Sequence, residues 1–206
     1  GVSVENLYFD HESYKDPLPV NRAGKVSVVD IITKIVNIPE RNDCILECVK
    51  KLYSQERNVM ILSERRDHCF NLKEMITTQI GDVVGLYMGG MKQADLDESE
   101  KKQIIIATYS LAHEGLDISK LASLILATPK SDVVQACGRI LRETKGKKHN
   151  PYIIDIVDKI GLMMNQHRKR KAFYKKSGFD SGGKKEKEPE PEETTERIRE
   201  YLFIED

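Results

Sequence analysis

Five short apolar runs, each bounded by polar residues, constrain the fold of this chain more than any other feature. They lie at residues 58–62, 83–87, 103–108, 124–127 and 151–156. An uninterrupted run of this length is typical of a strand that is buried on both faces. Apolar residues between the runs recur at helical spacing, and strands that alternate with helices form right-handed βαβ units. The sequence therefore predicts an α/β fold, in which a mostly parallel sheet carries helices on both faces.

The two ends of the chain are predicted from their composition. Residues 1–25 are polar and aromatic, which predicts an extended arm. Residues 26–36 predict a helix, and a second helix is predicted to open at Arg41 with Asp43 as its cap. Residues 181–206 are rich in Gly, Lys, Glu and Pro, which predicts a disordered tail that has room for one short helix.

The distribution of charge is more informative than its sum, because 33 basic residues balance 33 acidic ones. Residues 139–176 contain twelve Lys or Arg against three Asp or Glu, whereas residues 180–206 contain ten acids against five bases. A basic region followed by an acidic tail favours a surface that binds a polyanion, with a charged appendage. A solvated face followed by a disordered end is the alternative.

Cysteine usage and hydropathy narrow the class of protein. The four cysteines form no CxxC pair, and Cys44 and Cys48 have the spacing of one helix face. We therefore expect no metal site and a reducing, intracellular compartment. The sequence contains neither an apolar run long enough to span a membrane nor a visible signal peptide.

The polar residues and glycines cluster where the predicted strands end. In open parallel sheets, ligands bind at the loops beyond the carboxyl ends of the strands. The loops in question are residues 63–67, 89–90, 108–117 and 128–131, together with the turn after Asp155. The sequence thus predicts a binding site at this edge of the sheet.

Residues 135–142 contain the most conspicuous pattern in the chain. Gln135, Arg139 and Arg142 fall on one side of a helix, and paired guanidinium groups suit the oxygens of a phosphate. Gly138 lets a ligand or another backbone approach closely. Arginines at this spacing also occur on ordinary solvated helices, so the pattern alone does not decide.

Residues 108–117 leave a predicted strand through a hydroxyl and reach a carboxylate after a glycine. The Thr108 hydroxyl and nearby amides could hold a phosphate of a nucleic-acid strand, and Asp117 could accept from a ribose hydroxyl. Capping by Thr108 and a turn role for Asp117 are the alternatives.

Three ordered elements together resemble the second RecA-like lobe of superfamily 2 helicases. Residues 59–63 resemble motif IV, residues 108–117 (T-x6-G-x-D) resemble motif V, and residues 135–142 (Q-x-x-G-R-x-x-R) resemble motif VI. In detail they are more similar to XPB-like DNA helicases than to DEAD-box RNA helicases. The basic-aromatic residues 168–179 are similar to the closing segment of such helicases from large DNA viruses and phages, including the poxvirus-type transcript-release helicases. The resemblance extends over residues 41–179 and implies a three-layer RecA-like domain.

The resemblance implies roles for individual residues. It makes Arg139 and Arg142 an arginine finger, which stabilises the charge that develops in phosphoryl transfer, with Gln135 aligning their helix. It assigns contact with the nucleotide to the following residues: Gly115, Asp117 and Gly138. It implies contact with nucleic-acid phosphates for a third group. The members of this group are Ser63, Arg65, Gly89, Gly90, Thr108, Lys147, Lys148, Arg168 and Arg170.

Two aromatic residues in the basic segment are open to two interpretations. Phe173 and Tyr174 could stack on a base, or they could fix a C-terminal helix to the core by apolar packing.

Two motifs of the family are missing from this sequence. No G-x-x-x-x-G-K-[ST] segment occurs, and no D-E-x-[HD] follows a predicted strand. The family carries both on its first lobe. The resemblance therefore implies the C-terminal lobe of an ATP-dependent helicase or translocase, inactive alone, with ATP and Mg²⁺ bound mainly by the first lobe.

The predicted organisation has four parts. An arm and helix that lead from the first lobe occupy residues 1–40, and the RecA-like domain occupies residues 41–160. A basic-aromatic extension follows at residues 161–180, and the acidic tail at residues 181–206 could dock a protein partner. The expected partner is nucleic acid, with DNA favoured over RNA, and a viral origin would place the protein in the host cytoplasm or virion.

Two alternatives belong to other functional classes. One is a nucleotide- or phosphate-sensing α/β module without turnover, and the other is an interaction domain with a basic docking surface.

Overall fold

The fold is seen in a computed structural model, which describes residues 1–114, 118–140 and 147–182. The strands are β1 (Ser3–Phe9), β2 (Val59–Ser63), β3 (Val84–Tyr87), β4 (Ile104–Thr108), β5 (Ser123–Leu126) and β6 (Tyr152–Asp158). The helices are α1 (Val28–Val36), α2 (Pro39–Ser54), α3 (Arg66–Ile80), α4 (Gln93–Lys101), α5 (Tyr109–Glu114), α6 (Val134–Ile140) and α7 (Gly161–Lys176), with a 3₁₀ turn at Glu12–Lys15. The predicted acidic tail, from residue 183 onward, lies outside the described residues.

The six strands form one sheet in the order β1-β6-β5-β2-β4-β3, and every pairing is parallel. The five apolar runs correspond to β2 through β6. The predicted α/β fold with a parallel sheet is therefore confirmed.

The continuous apolar character of the runs follows from burial on both faces of the sheet. Met60 and Leu62 face one core, which also contains Ala136 of α6 and Tyr174 of α7. Val59 and Ile61 face the other core, whose remaining members include residues of α2 and α3. Burial of each such side chain contributes roughly 1.5–3 kcal/mol, so both helical layers are fixed to the sheet and the three-layer arrangement is confirmed.

The predicted extended arm at residues 1–25 is wrong for its first part. Residues 3–9 form β1, which pairs with β6 along its whole length, from Ser3 opposite Tyr152 to Phe9 opposite Asp158. The outer side of β1 is bonded by the chain's own later residues, since the Val4 amide donates to the Asp180 carbonyl at 2.7 Å.

Helix α2 begins earlier than the sequence predicts. Pro39 is its first residue and Ile38 precedes it, without a side-chain cap. Proline suits this position because the first amides of a helix have no partner inside the helix. The predicted cap Asp43 lies within the helix, and Arg41 is fully buried.

A third, smaller apolar cluster joins α1 to the start of α7. Ile31 and Ile35 of α1 share it with Ile160 and Met163. Among the described helices, none combines the length and apolar character that a membrane crossing requires.

Gly85 in β3 permits α4 to cross the sheet at close range. A Cβ atom at this position would lie 2.5 Å from the Ser99 carbonyl oxygen and 2.6 Å from the Ser99 Cα. Both are backbone atoms, so the helix itself would have to move.

We expect Gly85→Ala to lower the free energy of unfolding by about 1–3 kcal/mol, because the added methyl group overpacks a backbone contact. Urea denaturation followed by circular dichroism measures this. Gly138→Ala is the matched control, because a Cβ at Gly138 meets no heavy atom within 4 Å. An unchanged midpoint for Gly85→Ala would contradict the close packing of α4.

His68 joins three elements through a buried chain of hydrogen bonds. Its Nδ1 lies 2.9 Å from the Ser63 hydroxyl and its Nε2 lies 2.8 Å from Asn42 Oδ1. The Asn42 amide nitrogen donates to the Val36 carbonyl at 3.0 Å. Because Asn42 Oδ1 is then the acceptor, His68 Nε2 carries the proton and the Ser63 hydroxyl donates to Nδ1. Burial, together with the charge of Arg41, lowers the pKa of His68 to about 3.

This shift predicts a loss of stability in mild acid. In the unfolded chain the pKa of His68 is near its ordinary value of 6.5, so the unfolded state binds a proton that the folded state does not. The free energy of unfolding then falls as the pH drops below about 6.5, by on the order of 2 kcal/mol between pH 7 and pH 5 for this group. His68→Gln removes the titration, so its urea midpoints at the two pH values should differ less than those of the wild type. Equal pH dependence would contradict the buried neutral imidazole.

Candidate functional site at the carboxyl edge of the sheet

The loops predicted to form a site do meet at one edge. The parallel register places Ser63, the last residue of β2, opposite Thr108, the last residue of β4. Leu126, which ends β5, pairs with Asp155 of β6. The residues that follow these strand ends therefore share the carboxyl edge of the sheet.

Two hydroxyls predicted to contact a strand are engaged within the protein. Ser63 is fully buried, and its hydroxyl bonds to His68 and accepts from the Arg65 amide at 3.1 Å. Direct contact between the Ser63 side chain and nucleic acid is therefore contradicted by its burial. The Thr108 hydroxyl lies 3.1 Å from that of Ser110, at the start of α5, and the residue is 8% exposed.

The loop after β2 is tied to its neighbours by two arginines. Arg65 donates to the Val29 carbonyl of α1 at 2.8 Å, and Arg66 donates to the Gly89 carbonyl at 2.9 Å. Gly89 and Gly90 are exposed, and Gly90 adopts φ +83°, a left-handed conformation that favours glycine. The glycine loop thus lies beside the start of α3.

Arg41 is bound to the end of β6 and to the loop after β5. Its guanidinium contacts both carboxylate oxygens of Asp158, at 2.7 and 3.0 Å, and its third nitrogen donates to the Ala127 carbonyl at 2.7 Å. Tyr14 donates to the same carboxylate at 2.6 Å. Burial alone would lower the pKa of Arg41, but Asp158 holds that pKa above its usual value. The guanidinium is therefore charged and fixed.

Arg170 makes the same kind of contact on the other face of the sheet that Arg41 makes on the first. Its predicted contact with nucleic acid is therefore wrong. Only 1% of its surface is exposed, and its guanidinium contacts both oxygens of Asp155 at 2.8 and 2.9 Å. Its third nitrogen donates to the Lys130 carbonyl at 2.6 Å, and Tyr174 donates to Asp155 at 2.9 Å. Burial alone would raise the pKa of Asp155, but the adjacent Arg170 and His167 hold it below its usual range.

The loop between β5 and α6 has two more attachments. The Tyr109 hydroxyl, whose pKa is raised by burial, donates to the Thr128 carbonyl at 2.9 Å. The Thr128 hydroxyl accepts from the Glu64 amide at 2.9 Å, and Lys130 pairs with the Glu64 carboxylate at 2.6 Å. The loops after β2 and β5 are thereby joined.

The buried bonds of Arg41, Arg170 and Tyr109 were not predicted from the sequence, although one signal was visible. Asp155 lies in the middle of an apolar run, and a carboxylate on a doubly buried strand requires a partner. Neither Arg41 nor Tyr109 carried a comparable signal.

Helix α6 carries the glutamine and the first arginine of the conspicuous pattern. Ala136 and Cys137 are buried, whereas Gln135 and Gly138 are exposed on the outer side. The predicted helical conformation is confirmed through Ile140. The Arg139 side chain is not among the described parts, and residues 141–146, with Arg142, lie outside them, as do Gly115 and Asp117.

In the basic-aromatic segment, residues 168–179, the aromatic side chains and two of the basic side chains differ in burial. The aromatic side chains of Phe173 and Tyr174 pack on the core, so the apolar interpretation is correct for them, and Phe179 packs against both rings. Arg168 and Lys169 are exposed on α7.

The two predicted lysines beyond α6 differ in their surroundings. Lys148 is exposed and paired with Glu56. Lys147 is half-buried and donates to the Leu121 carbonyl at 2.9 Å.

No cluster of metal-ligating side chains is present in the described ranges. The nearby Cys137 thiol is buried, which raises its pKa.

Comparison with known proteins gives both sequence relatives and structural neighbours. No family model matches the chain. The chain is 37% identical over 153 residues to a protein of Acanthamoeba polyphaga mimivirus, named "Putative ATP-dependent RNA helicase L396". This match covers 73% of the chain and 29% of the mimivirus protein, so the chain spans less than a third of its relative's length.

Solved structures agree on the fold. UvsW of phage T4 superposes with a TM-score of 0.67 at 19% identity, over 88% of this chain and 40% of UvsW. The C-terminal domain of the DEAD-box protein Dbp5 superposes with a TM-score of 0.56 at 15% identity, over 87% of this chain and 89% of that domain.

The mimivirus match extends over most of the chain, and the Dbp5 match covers almost an entire C-terminal helicase domain. Together with the parallel six-stranded sheet, they assign this protein to the superfamily 2 helicases, as a C-terminal RecA-like lobe.

Proposed function

We propose that this chain is the C-terminal lobe of an ATP-dependent helicase or translocase and that it supplies the arginine finger. One observation carries the proposal. The exposed side of α6 bears Gln135 and Gly138, two members of the sequence pattern whose spacing predicts Arg139 and Arg142 on the same side as Gln135. This helix follows a loop that is held at the carboxyl edge, where sheets of this type bind ligands.

The open space at Gly138 supports the approach of a nucleoside triphosphate to the outer side of α6. Gly138 leaves open space on the outer side of α6, since a Cβ there would meet no heavy atom within 4 Å. When bound with Mg²⁺, ATP would supply the phosphoryl group that is transferred to water, with ADP as the leaving group. The chain's part is to bring Arg139 and Arg142 to the transferring phosphate, while Gly115 and Asp117 contact the nucleotide.

The same edge supports a track for a nucleic-acid strand. The exposed glycine loop at residues 89–90 lies beside the start of α3, where Arg66 donates to the Gly89 carbonyl. We assign contacts with the strand to Arg65, Thr108 and this loop, and a wider phosphate-binding surface to Arg168. Lys147 and Lys148, which bond to Leu121 and Glu56 ahead of β5 and β2, lie at the opposite edge of the sheet, and we assign them a separate part of the phosphate-binding surface. These contacts act on the backbone and release counterions, so binding depends on salt rather than on base sequence.

We propose DNA as the substrate, on the resemblance of residues 108–117 and 135–142 to XPB-like DNA helicases. The mimivirus relative is named as an RNA helicase, so the experiments include RNA.

In a protein that contains both lobes, Arg142→Ala should lower the rate of ATP hydrolysis by about 10³-fold or more, because an arginine finger stabilises transition-state charge. Steady-state phosphate release measures the rate. DNA affinity should change less than twofold, and the isolated chain should show no turnover above background. Arg57→Ala is the control, because Arg57 donates to the Asn150 carbonyl, beyond the amino ends of the strands. Retained turnover in Arg142→Ala would remove this arginine from the active site.

The second prediction concerns salt-dependent binding by the chain itself. The logarithm of the affinity for single- and double-stranded DNA should fall linearly with the logarithm of salt concentration. Lys148→Ala with Arg168→Ala should reduce the slope on duplex DNA by about 0.9 for each phosphate that the variant no longer neutralises. Fluorescence anisotropy with labelled DNA and RNA measures both. Lys50→Ala, on the exposed side of α2, should leave the slope unchanged. Absence of binding at low salt would favour a phosphate-sensing module, and tighter binding of RNA would overturn the DNA assignment.

A further inference from the structure

Residues 127–133, which we call the α6-leading segment, contain no helix or strand of their own. Backbone carbonyls in such a segment need donors from elsewhere when they are buried. Here side chains from three different elements provide them. Side chains therefore bind three of the segment's carbonyls, while the Ala127 amide donates to the Leu62 carbonyl of β2 at 2.9 Å.

The three donors approach consecutive parts of the segment. Arg41 of α2 donates to the Ala127 carbonyl, Tyr109 of α5 to the Thr128 carbonyl, and Arg170 of α7 to the Lys130 carbonyl, at 2.7, 2.9 and 2.6 Å respectively. Helices α2 and α7 lie on opposite faces of the sheet, as the membership of the two cores indicates. The segment is consequently held from both sides.

The three guanidinium nitrogens of Arg41 and of Arg170 have the same kinds of partner. Two of them hold both oxygens of an aspartate on β6, Asp158 for Arg41 and Asp155 for Arg170. Because this fork is planar and bidentate, it fixes the direction of the third nitrogen, which donates to the segment. The aspartates belong to a strand with neighbours on both sides, so the two arginines are fixed to an interior strand of the sheet.

We propose that Arg41 and Arg170 are positioning residues, which fix the α6-leading segment and thereby set where α6 presents Arg139 and Arg142. The part that concerns turnover rests on the proposed function, whereas the part that concerns the segment does not. An apolar pair could replace the charge balance of each Arg–Asp pair, but it could not donate to Ala127 or Lys130. Lysine keeps the charge and loses the fork.

The first experiment measures the segment in the 206-residue chain. Hydrogen exchange of peptides that cover residues 127–138 should become at least tenfold faster in Arg170→Lys and in Arg41→Lys, while peptides from β2 and β4 keep the wild-type rate. Arg57→Lys is the matched control, because Arg57 also donates to a loop carbonyl, that of Asn150 at 2.9 Å, but away from the segment. It should leave exchange in residues 127–138 unchanged.

Tyr109→Phe is a milder variant, which tests the same segment if the arginine variants do not fold. It removes only the hydroxyl that donates to Thr128, and it should accelerate exchange in the same peptides by a smaller factor. Faster exchange confined to these peptides supports the proposal. Unchanged exchange in the folded variants, or an equal increase throughout the sheet, would overturn it.

The second experiment measures turnover in a protein that contains both lobes. Arg170→Lys should lower kcat for ATP at least tenfold while KM for ATP and DNA affinity change less than twofold, because the finger is displaced rather than removed. Arg57→Lys should retain wild-type kcat. If the wild type hydrolyses ATP and Arg170→Lys keeps its kcat, positioning is overturned. If the wild type does not hydrolyse ATP, the proposed function fails, and the exchange experiment still decides the role of the arginines.

Discussion

The carboxyl edge of this lobe depends on two buried carboxylates of β6. Asp155 and Asp158 have no exposed surface, and a buried carboxylate without a partner costs several kcal/mol. Each therefore requires a cation of matching shape, which Arg170 and Arg41 provide from the two faces of the sheet. With the arginines held in this way, their remaining nitrogens reach the loop that leads to α6. The geometry of the candidate site thus follows from a requirement for charge balance inside the sheet.

The buried and the exposed residues of one helix have different roles in this arrangement. On α7, Arg170 and Tyr174 point to Asp155, while Arg168 and Lys169 are exposed. The same helix can therefore stabilise the interior and offer cations to a polyanion. Helix α6 is divided similarly, with Ala136 and Cys137 inside and Gln135 and Gly138 outside.

The sequence predicted β2 to β6 because most of their side chains are buried, so each run is almost entirely apolar. It missed β1 because Glu5 and Asn6 interrupt the apolar residues of a strand whose side chains are mostly only half-buried. Arg170 was predicted on the surface because the bases at residues 168–171 look uniform in sequence, whereas a helix turns one of them into the core. The burial of Ser63 depends on His68 and Asn42, which only the tertiary structure brings together. The roles of Arg139, Arg142, Gly115 and Asp117 remain predictions.

The central claim is that Arg41 and Arg170, which are bound to aspartates of β6, fix the position of α6. The arginines of α6 then meet the nucleotide between two lobes. A structure of the two-lobed protein with a non-hydrolysable ATP analogue and DNA tests it most directly. The account predicts guanidinium nitrogens of Arg139 and Arg142 within about 3 Å of the γ-phosphate oxygens, with Arg170 still bound to Asp155 and to the Lys130 carbonyl. Closed lobes in which both arginines face solvent would contradict it.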